Sequence, residues 1–192
     1  MKEALILIDF VNDIVDPKGA IAKFGTPAHV VEQNAIANTR AVLRHAREKG
    51  TRVIFVRVAF GAGHPELAKT KAPFYLAHKQ NNWLVRGTWG TEFHADLQPN
   101  SKECVIEKDR VNPFTNPEFA ENLKGIDKIV VTGVATNLAV EETVRNAAAK
   151  DFDVVVLEDC CASNNQAMHD FSITTILPKF ATVTKSAEFL AS

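Results

Sequence analysis

Two charged residues and one turn of small residues stand where this 192-residue chain could do chemistry. Asp9 closes the apolar run "ALILI", which puts a carboxylate at the edge of a core, where desolvation and a nearby cation tune its proton affinity. Lys108 closes a second run, "CVIEK", and could supply that cation. The third feature is the turn Thr132-Gly133-Val134-Ala135-Thr136-Asn137. Gly133 permits a tight exit from a strand, and Thr136 and Asn137 are capping types for a helix that begins near Leu138. The first amides of such a helix can hold a developing oxyanion or a substrate carboxylate. Singly, each feature has an ordinary reading as a cap, a solvated charge cluster at Glu107-Lys108-Asp109-Arg110, or a capped turn without a ligand. Together on one sheet edge, they count for more as a candidate site than any does alone.

The elements that would bring them together are legible as six apolar runs, at residues 4–8, 52–58, 104–107, 128–132, 153–157 and 180–184. Several are continuous rather than alternating and rich in Val and Ile, the pattern of strands buried on both faces of a parallel sheet. Helical periodicity fills residues 27–49, ending in Lys49-Gly50, a basic last turn and a left-handed cap residue. A second helix is predicted over 138–150, with Glu141 and Glu142 early and Arg145 and Lys150 late, matching the helix dipole. A third spans 164–177 and stops at Pro178. Strand alternating with helix implies right-handed crossovers and a doubly wound sheet, whose ligands bind beyond the carboxyl ends of the strands where strand order reverses. Residues 61–99 break the pattern with scattered Gly, His, Pro, Trp and Asn. A long insertion of this kind forms a lid or an oligomer contact.

Composition narrows the function. Lys plus Arg (22) nearly balance Asp plus Glu (23), so no bulk electrostatic attraction favours nucleic acid or an anionic membrane. At about 100–200 residues per domain, residues 1–192 read as a single domain. Asp9 interrupts the first apolar stretch before a signal peptide could form, and no stretch approaches about 18 apolar residues, so a cytoplasmic protein is expected. Cys104, Cys160 and Cys161 are odd in number and lack C-x-x-C spacing, which argues against a disulfide framework or a structural zinc and for buried or half-buried thiols.

The segments "LILIDFVND", "VIEKDRVNPF" and "VTGVATNLAVEETVRNAAAKDFDVVVLEDCCAS" resemble the isochorismatase-like hydrolase superfamily, which includes nicotinamidases, carbamoylsarcosine amidases and isochorismatases. The resemblance runs over roughly residues 4–185. It implies a three-layer α/β/α sandwich on a six-stranded parallel, doubly wound sheet, and a cis peptide at Val134–Ala135. It also implies a homo-oligomer, a dimer or tetramer, with residues 83–93 as a contact region.

For the site, the resemblance implies that Asp9 and Lys108 take the places of the Asp and Lys in the Asp-Lys-Cys triad of the amidase members. The Cys position falls on Ala139, so the nucleophile is missing. The metal dyad of nicotinamidases is missing too. After the second strand the chain reads "VRVAFGAGHPE", without Asp-x-His spacing, so no metal and no cofactor is expected. His64 reads as a surface-loop histidine, and the other five histidines are scattered singly.

Isochorismatases need no thiol, because a vinyl ether is cleaved by protonating carbon and adding water. In that reading Asp9 is the general acid, Lys108 orients it and the substrate's anionic groups, and backbone at Val134, Ala135 and Ala139 holds a carboxylate or oxyanion. Asn137, Phe10, Phe60, Trp89 and Phe114 are candidate contacts for a small-molecule substrate. Two alternatives stand beside it: an amide or ureide hydrolase whose nucleophile is replaced by Ala139, trapping substrate, and a catalytically silent metabolite-binding homologue.

Overall fold

The computed structural model describes residues 2–191. In chain order its strands and α-helices are β1 (Glu3–Ile8), α1 (Asn12–Val15), α2 (Thr26–Glu32), α3 (Ala35–Lys49), β2 (Arg52–Val58), α4 (Pro73–Asn81) and β3 (Cys104–Lys108). There follow α5 (Pro117–Asn122), β4 (Lys128–Val134), α6 (Glu141–Ala148), β5 (Asp153–Ala162), α7 (Gln166–Phe171), β6 (Thr182–Thr184) and α8 (Ser186–Ala191). The sheet order is β3-β2-β1-β4-β5-β6, with every pairing parallel. The chain winds outward one way through β2 and β3, then the other way through β5 and β6. Strand order therefore reverses between β1 and β4, and the crevice for a ligand opens beyond Ile8 and Val134.

The strand runs are continuous because both faces are covered. Leu5 and Leu7 of β1 point to one side, where Val42, Leu43 and Ala46 of α3 meet them. Ala4, Ile6 and Ile8 point to the other, against Phe119 of α5 and Val144 and Ala147 of α6. Each Leu, Ile or Phe fully buried in these two layers contributes about 1.5–3 kcal/mol. No helix among the described residues is long and apolar enough to cross a membrane.

The helices depart from the sequence expectation in instructive ways. Residues 27–49 are not one helix. Asn34 takes a left-handed φ of 53° between α2 and α3, and the Asn38 side chain closes the break by donating to the carbonyls of Gln33 and Asp159. Asn tolerates that conformation better than other side chains, so periodicity runs straight through a corner. The helix expected to start near Leu138 begins as a wide π turn over Thr136–Val140 and only then becomes α6. The predicted third helix is α7, then a π turn over Ser172–Ile176 and a 3-10 turn over Leu177–Lys179 that runs past Pro178.

The insertion folds back into the body of the chain. Trp83 and Phe93, expected at an oligomer contact, are buried within it, and Phe93 meets Phe55 edge-on at 5.2 Å. Asp13 fastens the insertion at its base: one carboxylate oxygen accepts from the Ala20 amide (3.0 Å) and the other from the Leu84 amide (3.1 Å).

At Gly133, β4 is seated tightly against Ile8 of β1. At its φ of +146°, an added Cβ would lie 2.5 Å from the Ile8 carbonyl oxygen and 2.7 Å from Ile8 Cβ. Gly133→Ala should therefore cost about 2–4 kcal/mol in chemical denaturation. A loss below about 0.5 kcal/mol, the scale of an ordinary surface substitution, would show that the two strands are not seated this tightly.

Candidate active site

β1 ends in a kink rather than a straight exit. Asp9 adopts a left-handed φ of 56°, yet its amide still donates to Val56 O at 2.8 Å. Its carboxylate then takes over the ladder, with Oδ1 accepting from the Val58 amide at 2.8 Å. Lys108, the last residue of β3, reaches across the end of β2 and places Nζ 2.7 Å from Asp9 Oδ2. The two side chains are only 5% and 1% exposed. Burial pushes the Asp9 carboxyl above the ordinary carboxylate range, and the Lys108 ammonium and the Val58 amide recover only part of that shift. A carboxyl so placed suits proton delivery. Removing either partner would strand a buried charge.

Opposite the pair, β4 ends in a cis peptide between Val134 and Ala135. Val134, Ala135, Asn137 and Ala139 line the same cavity of about 330 Å³ as Asp9 and Lys108. Thr136 and Asn137 do not cap the following helix as their types suggested. Thr136 Oγ1 is hydrogen-bonded to His169 Nδ1 (2.8 Å), and Asn137 Oδ1 accepts from Ser163 Oγ. Both side chains are drawn off by partners from the β5–α7 region, which leaves the helix start without a side-chain cap.

Of the expected aromatic walls, only Phe60 lines the cavity. Phe10 lies in the core at 1% exposure, Trp89 sits on an exposed turn, and Phe114 packs edge-on against Phe119 at 4.8 Å. The kink at Asp9 turns the chain inward, so the next residue points to the core and not to the crevice. The walls come instead from Phe24, from Phe74, Tyr75, Trp83 and Leu84 of the insertion, which has no periodicity to mark them, and from Met168 of the third predicted helix. Arg110 also lines the cavity, its guanidinium donating to Asp109 O (2.7 Å) and Glu66 O (3.0 Å).

His29, His64, His78 and His169 are buried rather than superficial. His64 is fully buried: its left-handed turn (φ 55°) folds the ring against Phe60 at 4.9 Å, and Nε2 donates to the Trp83 carbonyl at 2.7 Å. Its Nδ1 is buried without a hydrogen-bond partner. The nearest rings and carbonyls do not form the donor set that a nicotinamidase-type metal needs, and no group of three or more His, Cys, Asp or Glu among the described residues could hold a metal. His29 and His169, 140 positions apart in sequence, pair at 5.2 Å. The Ser163 amide donates to His29 Nδ1 (3.1 Å), and His29 Nε2 donates to Gln166 Oε1 (3.2 Å). No spacing signal joins such distant positions.

Among the described residues no cysteine lines the cavity. Cys160 and Cys161 are buried on β5, and burial pushes the Cys161 thiol up to about 12, so it stays protonated and inert. Cys104 is half-buried, and burial raises its thiol as well.

A buried Asp–Lys pair, a cis Val–Ala bond and a switch-point cavity occur together in a chain of which residues 3–188 match the isochorismatase domain family. The chain is an isochorismatase-family hydrolase. It is similar to ureidoacrylate amidohydrolase RutB of Yersinia enterocolitica, 31% identical over 88% of this chain and 77% of the relative. RutB of Variovorax paradoxus is 28% identical over 98% of this chain and 80% of the relative. A cysteine hydrolase structure from Pseudomonas syringae superposes with a TM-score of 0.84 at 23% identity, covering 99% of this chain and 91% of its own, and shares the fold.

The histidine pair gives this hydrolase a testable pH response. Burial, with the His29 ring adding to it, pushes His169 down to about 4 from the ordinary 6.5. Between those values the unfolded chain binds a proton that the folded chain refuses, so this group makes stability fall as pH drops through the window. Asp9 acts in the opposite sense, its raised carboxyl giving stability that is present at low pH and lost as pH rises through its folded value. The variant His169→Gln isolates the first effect: its stability relative to the parent should improve between about pH 7 and about pH 4.5 in denaturant titrations. An unchanged difference would mean that His169 takes up its proton freely in the folded state.

Proposed function

We propose that this hydrolase cleaves a small metabolite without a protein thiol, with Asp9 as general acid and water as the nucleophile, as in vinyl ether hydrolysis of the isochorismatase type. The observation that carries this reading is a buried Asp9–Lys108 pair in a cavity lined by Ala139 and by no cysteine among the described residues. The raised Asp9 carboxyl supplies the proton, and Lys108 fixes its orientation through the 2.7 Å contact. Backbone at Val134, Ala135 and Ala139 faces the reacting end and is the proposed seat of a carboxylate or oxyanion. Phe24, Phe60, Phe74 and Trp83 favour a substrate with an apolar body, and the Arg110 guanidinium favours one that also carries an anionic group.

The proton moves from Asp9 to the substrate's terminal vinyl carbon, leaving a cation stabilised by the ether oxygen. Water adds to that cation, and the resulting hemiketal collapses to a carbonyl compound and an alcohol. The protein forms no covalent bond at any step. The proposed setting is a homo-oligomer in the cytoplasm.

A second reading has support of its own. The relatives named ureidoacrylate amidohydrolase suggest amide or ureide chemistry, in which Ala139 would mark the place of a lost or replaced thiol. One experiment separates the two: the parent, Asp9→Asn and Ala139→Cys are each incubated with isochorismate and with small amides and ureides, following pyruvate or ammonia release and intact mass. The proposed function requires pyruvate release by the parent, a fall of about 10²–10⁴-fold in kcat for Asp9→Asn, and no gain for Ala139→Cys. Amide turnover with an acyl mass adduct in Ala139→Cys alone would install the second reading instead. A silent binder would turn over nothing in any form, while a bound carboxylate raised its melting temperature.

A further inference from the structure

We propose that His78 is the general base that activates the attacking water, with Nε2 as its proton acceptor. This rests on the thiol-independent reading above and supplies what that reading lacks. A general acid that has just delivered its proton leaves a water molecule that must lose one as it adds. The insertion places α4 over the cavity, and His78 lines it at 7% exposure. Its Nδ1 donates to the Phe74 carbonyl at 2.7 Å, which fixes the tautomer and makes Nε2 the lone-pair nitrogen. Nε2 has no hydrogen-bond partner among the described residues. The ring is held at 4.6 Å from Phe74, 5.6 Å from Trp83 and 5.9 Å from Phe60, so its position is set by packing on three sides.

Elimination points the same way. The other polar side chains on the cavity wall are cations (Lys108, Arg110), amides (Asn137, Asn164) and hydroxyls (Thr26, Tyr75), none of which accepts a proton from water near neutral pH. His78 is the remaining base besides Asp9 itself. Burial, with His64 and Lys108 nearby, holds its imidazole below the ordinary range, so it enters the reaction neutral. The titratable groups that bear on it are His64 from the turn before α4 and Lys108 from β3, and Asp9 and Arg110 line the same cavity.

As the water oxygen bonds to the cationic carbon, one O–H bond breaks and its proton goes to His78 Nε2. Proton transfer within the hemiketal accompanies cleavage of its C–O bond, releasing carbonyl compound and alcohol. The imidazolium proton returns through solvent to the Asp9 carboxylate, restoring both groups.

The test combines kinetics on isochorismate with ¹⁵N NMR of the unmodified chain. His78→Gln should lower kcat by about 100-fold with little change in KM and should abolish the acidic limb of the kcat profile. In His78→Ala, free imidazole should restore part of the lost rate, which a purely structural role would not allow. In the parent, His78 should show a protonated Nδ1 and an unprotonated Nε2 at neutral pH. A parent that releases pyruvate while His78→Gln keeps its rate and acidic limb overturns this role and leaves Asp9 as general acid. An Nε2-protonated or charged His78 at neutral pH overturns it independently of any assay. A folded parent that releases no pyruvate overturns the thiol-independent function, and this role with it.

Discussion

A carboxylate and an ammonium buried together must be matched almost atom for atom, because the cost of taking two charges out of water is several kcal/mol per ion and only close contact with further hydrogen bonds offsets it. The Asp9–Lys108 pair imposes that demand on three strands at once. Asp9 is the residue after β1, its second oxygen is held by the amide of Val58 at the end of β2, and Lys108 is the last residue of β3. A slip of one residue in either pairing would turn one of the charges into the apolar layers above or below the sheet. The register Ile8↔Val56 and Val58↔Lys108 is therefore coupled to the electrostatics of the crevice. On the other side of β1, Gly133 lets β4 approach closely enough that the turn carrying Ala135 and Ala139 faces the same space.

What could be read before the structure was known follows from which physical signals are local. Continuous Val- and Ile-rich runs mark strands covered on both faces, and each polar residue that ends such a run reports the sheet edge, so Asp9, Lys108 and the 132–137 turn were all legible. The family resemblance added the cis bond at Val134–Ala135 and pointed to Ala139, which lines the cavity. Hidden were the features decided by partners far away in the chain. Asn34 breaks a helix whose apolar spacing continues through it, because the stabilising contacts come from Asn38 and the carbonyl of Asp159. Thr136 and Asn137 have capping chemistry but spend it on His169 and Ser163. His64 and His78 lie in an insertion without periodicity, and only the folded chain brings their rings around Phe60.

The relatives frame how chemistry can vary on one scaffold. Relatives named for amide hydrolysis match this chain along most of its length, and a structure named as a cysteine hydrolase shares its fold; in this chain the cavity holds the Asp9–Lys108 pair and Ala139. A buried Asp–Lys pair can in principle serve either to activate a thiol or to protonate a substrate directly. Fold alone does not decide between such routes; the side chains of the site do.

That turn has a further property. Over Thr136–Val140 the backbone winds with π geometry, which amounts to one residue more than a regular α-helical turn would hold. Loss of any single residue there would let the winding relax to regular α-helix, at a rotation of about 100° per residue. Ala139 would then swing away from the crevice while Val144 and Ala147 kept their seats against the sheet. The segment thus tolerates exchange of side chains far better than change of length: a new residue at position 139 still faces the cavity, whereas a deletion turns the position away from it.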